Sequence, residues 1–235
     1  VAIKHANACG VGLGKTSLEA YRKCFESDKV SIFGGIIGIT STVDIETAKM
    51  LNDIFFEIIV AYDFDDDALE LLKSKKNLRI LKLAKIEDSK QKLDMKYLDG
   101  KLLIQDKDKI ENEKQEVVTK LAPTKEQLKD MDFGMKVVKN LKSNAIAIVK
   151  DGQTLAIGCG QTSRIWALSN AIENNKEEKN FEGAVLASDA FFPFDDCVRL
   201  AAEYGIKAVV QPGGSIRDED SVKACDELDM TMVFT

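Results

Sequence analysis

Val1-Ala2-Ile3-Lys4-His5-Ala6-Asn7-Ala8-Cys9-Gly10-Val11-Gly12-Leu13-Gly14-Lys15-Thr16-Ser17-Leu18-Glu19 is the stretch that sets the fold class. Residues 1–4 read as a short apolar strand, and a glycine-rich turn follows. Thr16-Ser17-Leu18-Glu19 has the form of a capping box and opens a helix through about residue 26. Strand, turn and helix form the repeating unit of an α/β protein. His5, the only histidine in 235 residues, sits beside Lys4 where that strand ends. Neighbouring side chains on a strand point to opposite faces, so both serve one ligand only if the backbone twists there. An isolated Lys-His pair is more often a surface lysine beside a core histidine, so its meaning depends on the rest of the chain.

Outward from this stretch the alternation continues. An apolar, glycine-broken strand and turn covers 31–39, with helices over 44–52 and 66–75 and strands over 56–61 and 78–83. Residues 85–116 carry dense mixed charge, with Asp99-Gly100 as a hairpin signal between two short apolar runs. A longer helix is expected over 124–142. Strands over 144–150 and 154–157 then flank a second hairpin turn, Asp151-Gly152. Helices at 163–174, 195–204 and 218–228 alternate with strands at 184–187, 208–210 and 231–235. The scheme predicts largely parallel sheets covered by helices, built from two segments with a distant internal likeness.

Composition narrows the function. A net charge of −6, with charges mixed along the chain, argues against a nucleic-acid binder. No apolar run approaches the length of a membrane helix. Five widely spaced cysteines without a Cys-x-x-Cys suit reduced thiols of the cytoplasm, and with one histidine they make a zinc site unexpected. Both ends lie inside apolar strands, which is expected of a piece of a longer chain.

Gly10-Val11-Gly12-Leu13-Gly14-Lys15-Thr16 ends like a nucleotide-triphosphate loop. Cys9 stands where the first glycine of that loop is required, however, and His5 to Cys9 separate the strand from it. The helix start after it remains a place for an anion. An NTP-hydrolysing domain is therefore one alternative reading, and a binding fragment without catalysis is another. Arg164 falls in the first turn of a helix, where the helix dipole disfavours a cation unless an anion is near. Phe191-Phe192-Pro193-Phe194 offers either core aromatics or an apolar wall for a flat heterocycle, with Asp196 available to ring N–H groups. Gln211-Pro212-Gly213-Gly214-Ser215-Ile216 is a strand-end turn with amides facing a ligand or simply leading into the last helix.

Lys4-His5-Ala6-Asn7-Ala8-Cys9-Gly10, Phe33-Gly34-Gly35-Ile36-Ile37, Lys142-Ser143-Asn144-Ala145-Ile146, Gly158-x-Gly160-Gln161-x-Ser163-Arg164 and Ser188-Asp189-Ala190-Phe191-Phe192-Pro193-Phe194 occur in that order. Together they resemble the transformylase domain of the bifunctional purine-biosynthesis family, which couples 5-aminoimidazole-4-carboxamide ribonucleotide formyltransferase to inosine-monophosphate cyclohydrolase. The resemblance spans essentially the whole chain.

It implies two similar three-layer subdomains like cytidine deaminase without its zinc: 1–84 and 143–235, joined through a charged hairpin and linking helix over 85–142. It implies formyl transfer from 10-formyltetrahydrofolate to the nucleotide's amine in a site shared across a homodimer. By motif position, Lys4 and His5 would be catalytic. Phe33, Gly34, Glu57 and Phe191 would contact the nucleotide, and Asn144 would act across the dimer interface. Arg164, Ile165, Asp196, Ser215 and Ile216 would line the folate side. Glu57 stands where some relatives have aspartate, and Ala8 where proline is usual. The family's cyclohydrolase domain would precede Val1, and an arginine- and histidine-bearing end would follow Thr235, so the piece is expected to be incomplete by itself.

Overall fold

The computed structural model describes residues 1–83, 92–108 and 115–235. Residues 84–91 and 109–114, part of the expected connector, lie outside that description. In the first half, β1 (Ala2–Lys4) and β2 (Asn7–Gly10) form a hairpin. After it come α1 (Ser17–Ser27), β3 (Ile36–Val43), α2 (Ile45–Asn52), β4 (Ile58–Phe64), α3 (Asp66–Lys73) and β5 (Arg79–Lys82). The sheet order is β2-β1-β3-β4-β5, antiparallel at the hairpin and parallel from β3 onward. A separate hairpin follows, of β6 (Leu93–Leu98) and β7 (Lys101–Asp106), turning at Asp99-Gly100 with both residues at positive φ, as its sequence predicts.

The second half contains β8 (Glu116–Val117), α4 (Lys125–Lys139), β9 (Ile146–Lys150), β10 (Gln153–Gly158), α5 (Arg164–Glu173), β11 (Val185–Ser188), α6 (Asp196–Glu203), β12 (Ala208–Gln211), α7 (Asp218–Glu227) and β13 (Thr231–Phe234). Its order, β10-β9-β11-β12-β13-β8, repeats the first sheet strand for strand and adds β8 at the far edge. The duplication extends to detail. Lys4 pairs with Asn7 across one two-residue turn, and Lys150 pairs with Gln153 across the other. Each hairpin then bulges at the same place, after Ile3↔Ala8 and after Val149↔Thr154.

Side chains set the helix starts. Thr16, Asp44, Thr124 and Ser163 each accept the amide N–H three residues on, which satisfies a donor the helix leaves unpaired. At Thr124 the box is reciprocal, with Gln127. At Thr16 it is not, because the Glu19 carboxylate accepts from the Lys15 amide at 2.8 Å.

The halves differ in their layers. β9, β11 and β12 are buried on both faces. Helices α5–α7 cover one face through Ile148, Leu168, Leu186, Val198 and Met232. Helix α4 covers the other, with Met131, Phe133 and Val138 against Ala147, Val149, Ala187 and Val210. The helix expected to link the halves is thus a layer of the second one, as its apolar stripe requires. In the first half, α1–α3 pack on Ile37, Ile39, Ile59 and Ala61. Burial alternates along β3 and β4, and the described residues supply no helix to their other face. Three layers therefore describe the second half, and two describe the first among the described residues.

The sheets meet edge to edge. Beyond β2, Val11–Leu13 runs antiparallel to the start of β10: Leu13 donates to the Gly152 carbonyl at 2.7 Å and Thr154 to the Val11 carbonyl at 3.0 Å. Ser27 and Thr154 share a buried hydroxyl hydrogen bond of 2.7 Å beneath this seam. The glycines of 10–14 serve packing here. A Cβ on Gly10, Gly12 or Gly14 would come within 2.3–2.5 Å of α1 backbone at Cys24 or Ala20. Gly158 repeats the device, its Cβ position being 2.0 Å from the Ala167 carbonyl of α5.

Candidate active site

The β1–β2 turn is made by His5 at φ 51° and Ala6 at φ 63°. Both are left-handed, the type I′ geometry that normally selects Asn-Gly or Asp-Gly. Left-handed backbone costs a residue with a Cβ about 1–2 kcal/mol, and such strain concentrates at functional sites. The turn breaks the regular strand alternation between Lys4 and His5. Three hydrogen bonds hold it. The Lys4 ammonium donates to the Phe33 carbonyl at 2.9 Å. The Asn7 side-chain oxygen accepts from the Lys142 amide at 3.2 Å, and its nitrogen donates to the His5 carbonyl at 3.4 Å. His5 is exposed and Lys4 half-buried.

Phe33 and Gly34 lie in a turn ahead of β3, not on the strand, which begins only at Ile36. Gly34 has φ 70° and donates to the Phe55 carbonyl at 2.8 Å, while the Glu57 amide donates to Gly35 at 3.1 Å. The exposed rings of Phe33 and Phe55 lie 5.6 Å apart, and the Glu57 carboxylate pairs with Arg79 at 2.9 Å. Lys4, Phe33, Gly34 and Glu57 therefore form one connected surface at the starts of β3, β4 and β5. Phe55 and Arg79 belong to it, although nothing in their spacing marked them out.

In the second half the residues gather at the carboxyl ends of β11 and β12, where open α/β sheets usually bind ligands. Asn144 donates from its side chain to the Gln161 carbonyl at 2.9 Å. Arg164 is only 6% exposed; its guanidinium bonds Asp189 and the Ala145 carbonyl, the latter at 3.2 Å. The anion expected near this cation is thus a carboxylate of the chain itself, and Asp189 also accepts the Ala145 amide at 2.9 Å. Ile165, next on the helix, is partly buried against the core.

The aromatic loop divides its labour. Phe192 is buried, its amide bonded to the buried Gln211 side chain at 3.0 Å, and it anchors the loop so that Phe191 and Phe194 face outward. Asp196 accepts the Cys197 amide at the start of α6. Ser215 donates its amide to Asp218, Ile216 is fully exposed, and Arg217 lies 5.1 Å over the Phe194 ring.

The antiparallel seam decides how the halves relate. It sets the start of β2 beside the end of β10, so the His5 turn and the loops of 142–144 and 158–164 share one side of the joined sheets. Asn7 bridges them. No hydrogen bond or ring contact joins His5 directly to Phe191 among the described residues. Cys9, near the turn, has its thiol pushed up to about 11 by burial, reinforced by Cys24 and Asp28, so it is no thiolate nucleophile at neutral pH. Among the described residues no cluster of His, Cys, Asp and Glu forms a metal site, and no helix is long and apolar enough to cross a membrane. The anion position expected at the α1 start is filled by Glu19, and the glycines before it pack on α1, so the NTP-loop reading has no geometric support.

These features define a duplicated mixed-sheet α/β protein with candidate residues from both halves on one side. The family described as AICARFT/IMPCHase bienzyme matches residues 1–174, and the chain belongs to that family. It is 75% identical over 235 residues to the bifunctional purine biosynthesis protein PurH of Clostridioides difficile (strain 630), covering 100% of this chain and 46% of that protein. Proteins of the same description from Caldicellulosiruptor saccharolyticus (strain ATCC 43494 / DSM 8903 / Tp8T 6331) and Clostridium botulinum (strain Kyoto / Type A2) are 52% and 53% identical, again covering 100% of this chain and 46% of theirs. The chain thus spans about half the length of the curated relatives it matches.

Proposed function

We propose that this chain is the formyltransferase part of a longer enzyme that also has IMP cyclohydrolase activity. It moves a formyl group from 10-formyltetrahydrofolate to the 5-amino group of 5-aminoimidazole-4-carboxamide ribonucleotide. The observation that carries this reading is the strained His5–Ala6 turn, which sets the chain's one histidine on the side shared with the 158–164 loop and the aromatic loop.

The acceptor amine is aromatic and weakly nucleophilic, so removing its proton as the carbon–nitrogen bond forms lowers the barrier. An imidazole is the side chain most often used for such a proton transfer, and His5 does this work. Lys4 stabilises the developing oxyanion or returns a proton to the departing folate nitrogen. Asn144 orients the formyl oxygen from the second protomer of a homodimer. Phe33, Gly34, Glu57 and Phe191 hold the nucleotide. Exposed Phe191, Phe194 and Ile216 fit a flat heterocycle. Ile165, Asp196 and Ser215 complete the folate side, which Arg164 supports by fixing Asp189 and the loop after it. The enzyme works in the cytoplasm, and its two halves are cytidine-deaminase-like units, the second of which takes β8 and α4 from the 85–142 stretch.

Formyl transfer assayed with the intact parent protein, then with these 235 residues alone, tests the reading. The parent is expected to consume both substrates and the piece to be weak or silent. A parent with no transfer overturns it. Lys15→Ala is expected to leave transfer within about twofold, since surface changes away from a site have small effects.

A further inference from the structure

The duplicated turns differ in what their amides bind. At the second turn, Asp151 and Gly152 have φ 52° and 67°, and their N–H groups both donate to the carboxylate of Asp130 from α4, at 2.8 and 2.9 Å. Asp130 is buried, one oxygen on each amide. At the first turn, His5 and Ala6 hold the same conformation, between the same pair of strands, in the same register and with the same bulge beyond. Among the described residues no counterpart of α4 lies over them, and their amides donate to no acceptor.

We propose that the His5 and Ala6 amides form a seat for an oxyanion presenting two oxygens from one centre, a phosphate or a carboxylate. The second turn shows that this backbone receives such a group edge-on. Consecutive turn amides concentrate partial positive charge in the manner of an anion-binding nest. The setting favours the same sign: Lys4 precedes the turn, and its ammonium donates to the Phe33 carbonyl, with no carboxylate hydrogen-bonded to it among the described residues. Within the proposed function, on which this inference builds, the group is the ribonucleotide 5′-phosphate or a glutamate carboxylate of the folate.

Amide NMR of the labelled protein tests the seat without requiring formyl transfer. Titration with inorganic phosphate, ribose 5-phosphate or N-acetylglutamate is expected to move the His5 and Ala6 amides saturably, in the millimolar range. Asp151 and Gly152, already occupied by Asp130, serve as the internal reference and stay still. The tighter of the last two probes identifies the source, phosphate for the nucleotide or carboxylate for the folate. No saturable shift, or equal shifts at both turns, overturns the proposal.

Replacing Ala6 by lactic acid, which exchanges its N–H for an ester oxygen, is expected to weaken the favoured probe about tenfold or more, as for a hydrogen bond to a charged group. Unchanged affinity in the ester also overturns it. His5→Asn keeps the backbone and the Ala6 shift; loss of that shift assigns binding to the imidazole and overturns the seat.

Discussion

In the second half, the hairpin turn uses Asp151-Gly152, the residues left-handed backbone favours, and Asp130 closes over it. In the first half, His5-Ala6 takes the same shape against local preference and stays open. Both halves fold on one plan, so the unfavourable choice is not something the plan requires. A sequence that departs from local preference in one copy of a repeated element, and follows it in the other, is what the proposed catalytic role of His5 would require.

The sharpest break of this comparison is in turnover. His5→Ala in the intact enzyme is expected to lower kcat by about 10²–10⁴, the usual range for a general base. Asp151→Ala, the same position in the other copy, is expected to leave kcat within about twofold and to lower only the melting temperature. Steady-state kinetics of the two variants checks both, and equal losses would sink the distinction.

Packing should behave alike in the two halves. Gly10→Ala and Gly158→Ala each force a Cβ into helix backbone, and each is expected to cost about 3 kcal/mol in urea unfolding, the upper range for overpacking. The clamp is next. Asp130→Ala deprives two amides of a charged acceptor and is expected to cost about 2 kcal/mol. It should leave the Michaelis constants for both substrates unchanged. The smallest effect is also the most direct reading of strain. Ala6→Gly is expected to stabilise by up to about 1 kcal/mol, while Gly152→Ala destabilises by about as much, because its Cβ also meets Leu13 at 3.1 Å.

Alternation of strand and helix was legible in the sequence, and so were the cap at Thr16 and the helix starts at 44, 124 and 163, because each rests on local chemistry. Asp99-Gly100 and Asp151-Gly152 announced their turns. His5-Ala6 did not, since neither residue favours positive φ, and β2 was therefore read as part of a glycine-rich turn. The glycines of 10–14 suggested an anion loop because sequence shows the absence of a side chain, not the helix that fills the space. Phe33, Glu57, Arg164 and Phe191 were named from ordered motifs. Their partners Phe55, Arg79 and Asp189 come from long-range pairing, which spacing along the chain does not encode. The role of α4 as a third layer likewise depends on which sheet face lies open.

The seam between β2 and β10 has one more consequence. Two identical units joined through that edge by a half-turn would present a pair of matching clefts on opposite sides of the molecule. Here one of those positions is plugged by an internal carboxylate and the other carries the imidazole. Joining the units in one polypeptide lets each cleft drift separately, so what would be an ancestral symmetric pair is free to retain a single reactive mouth.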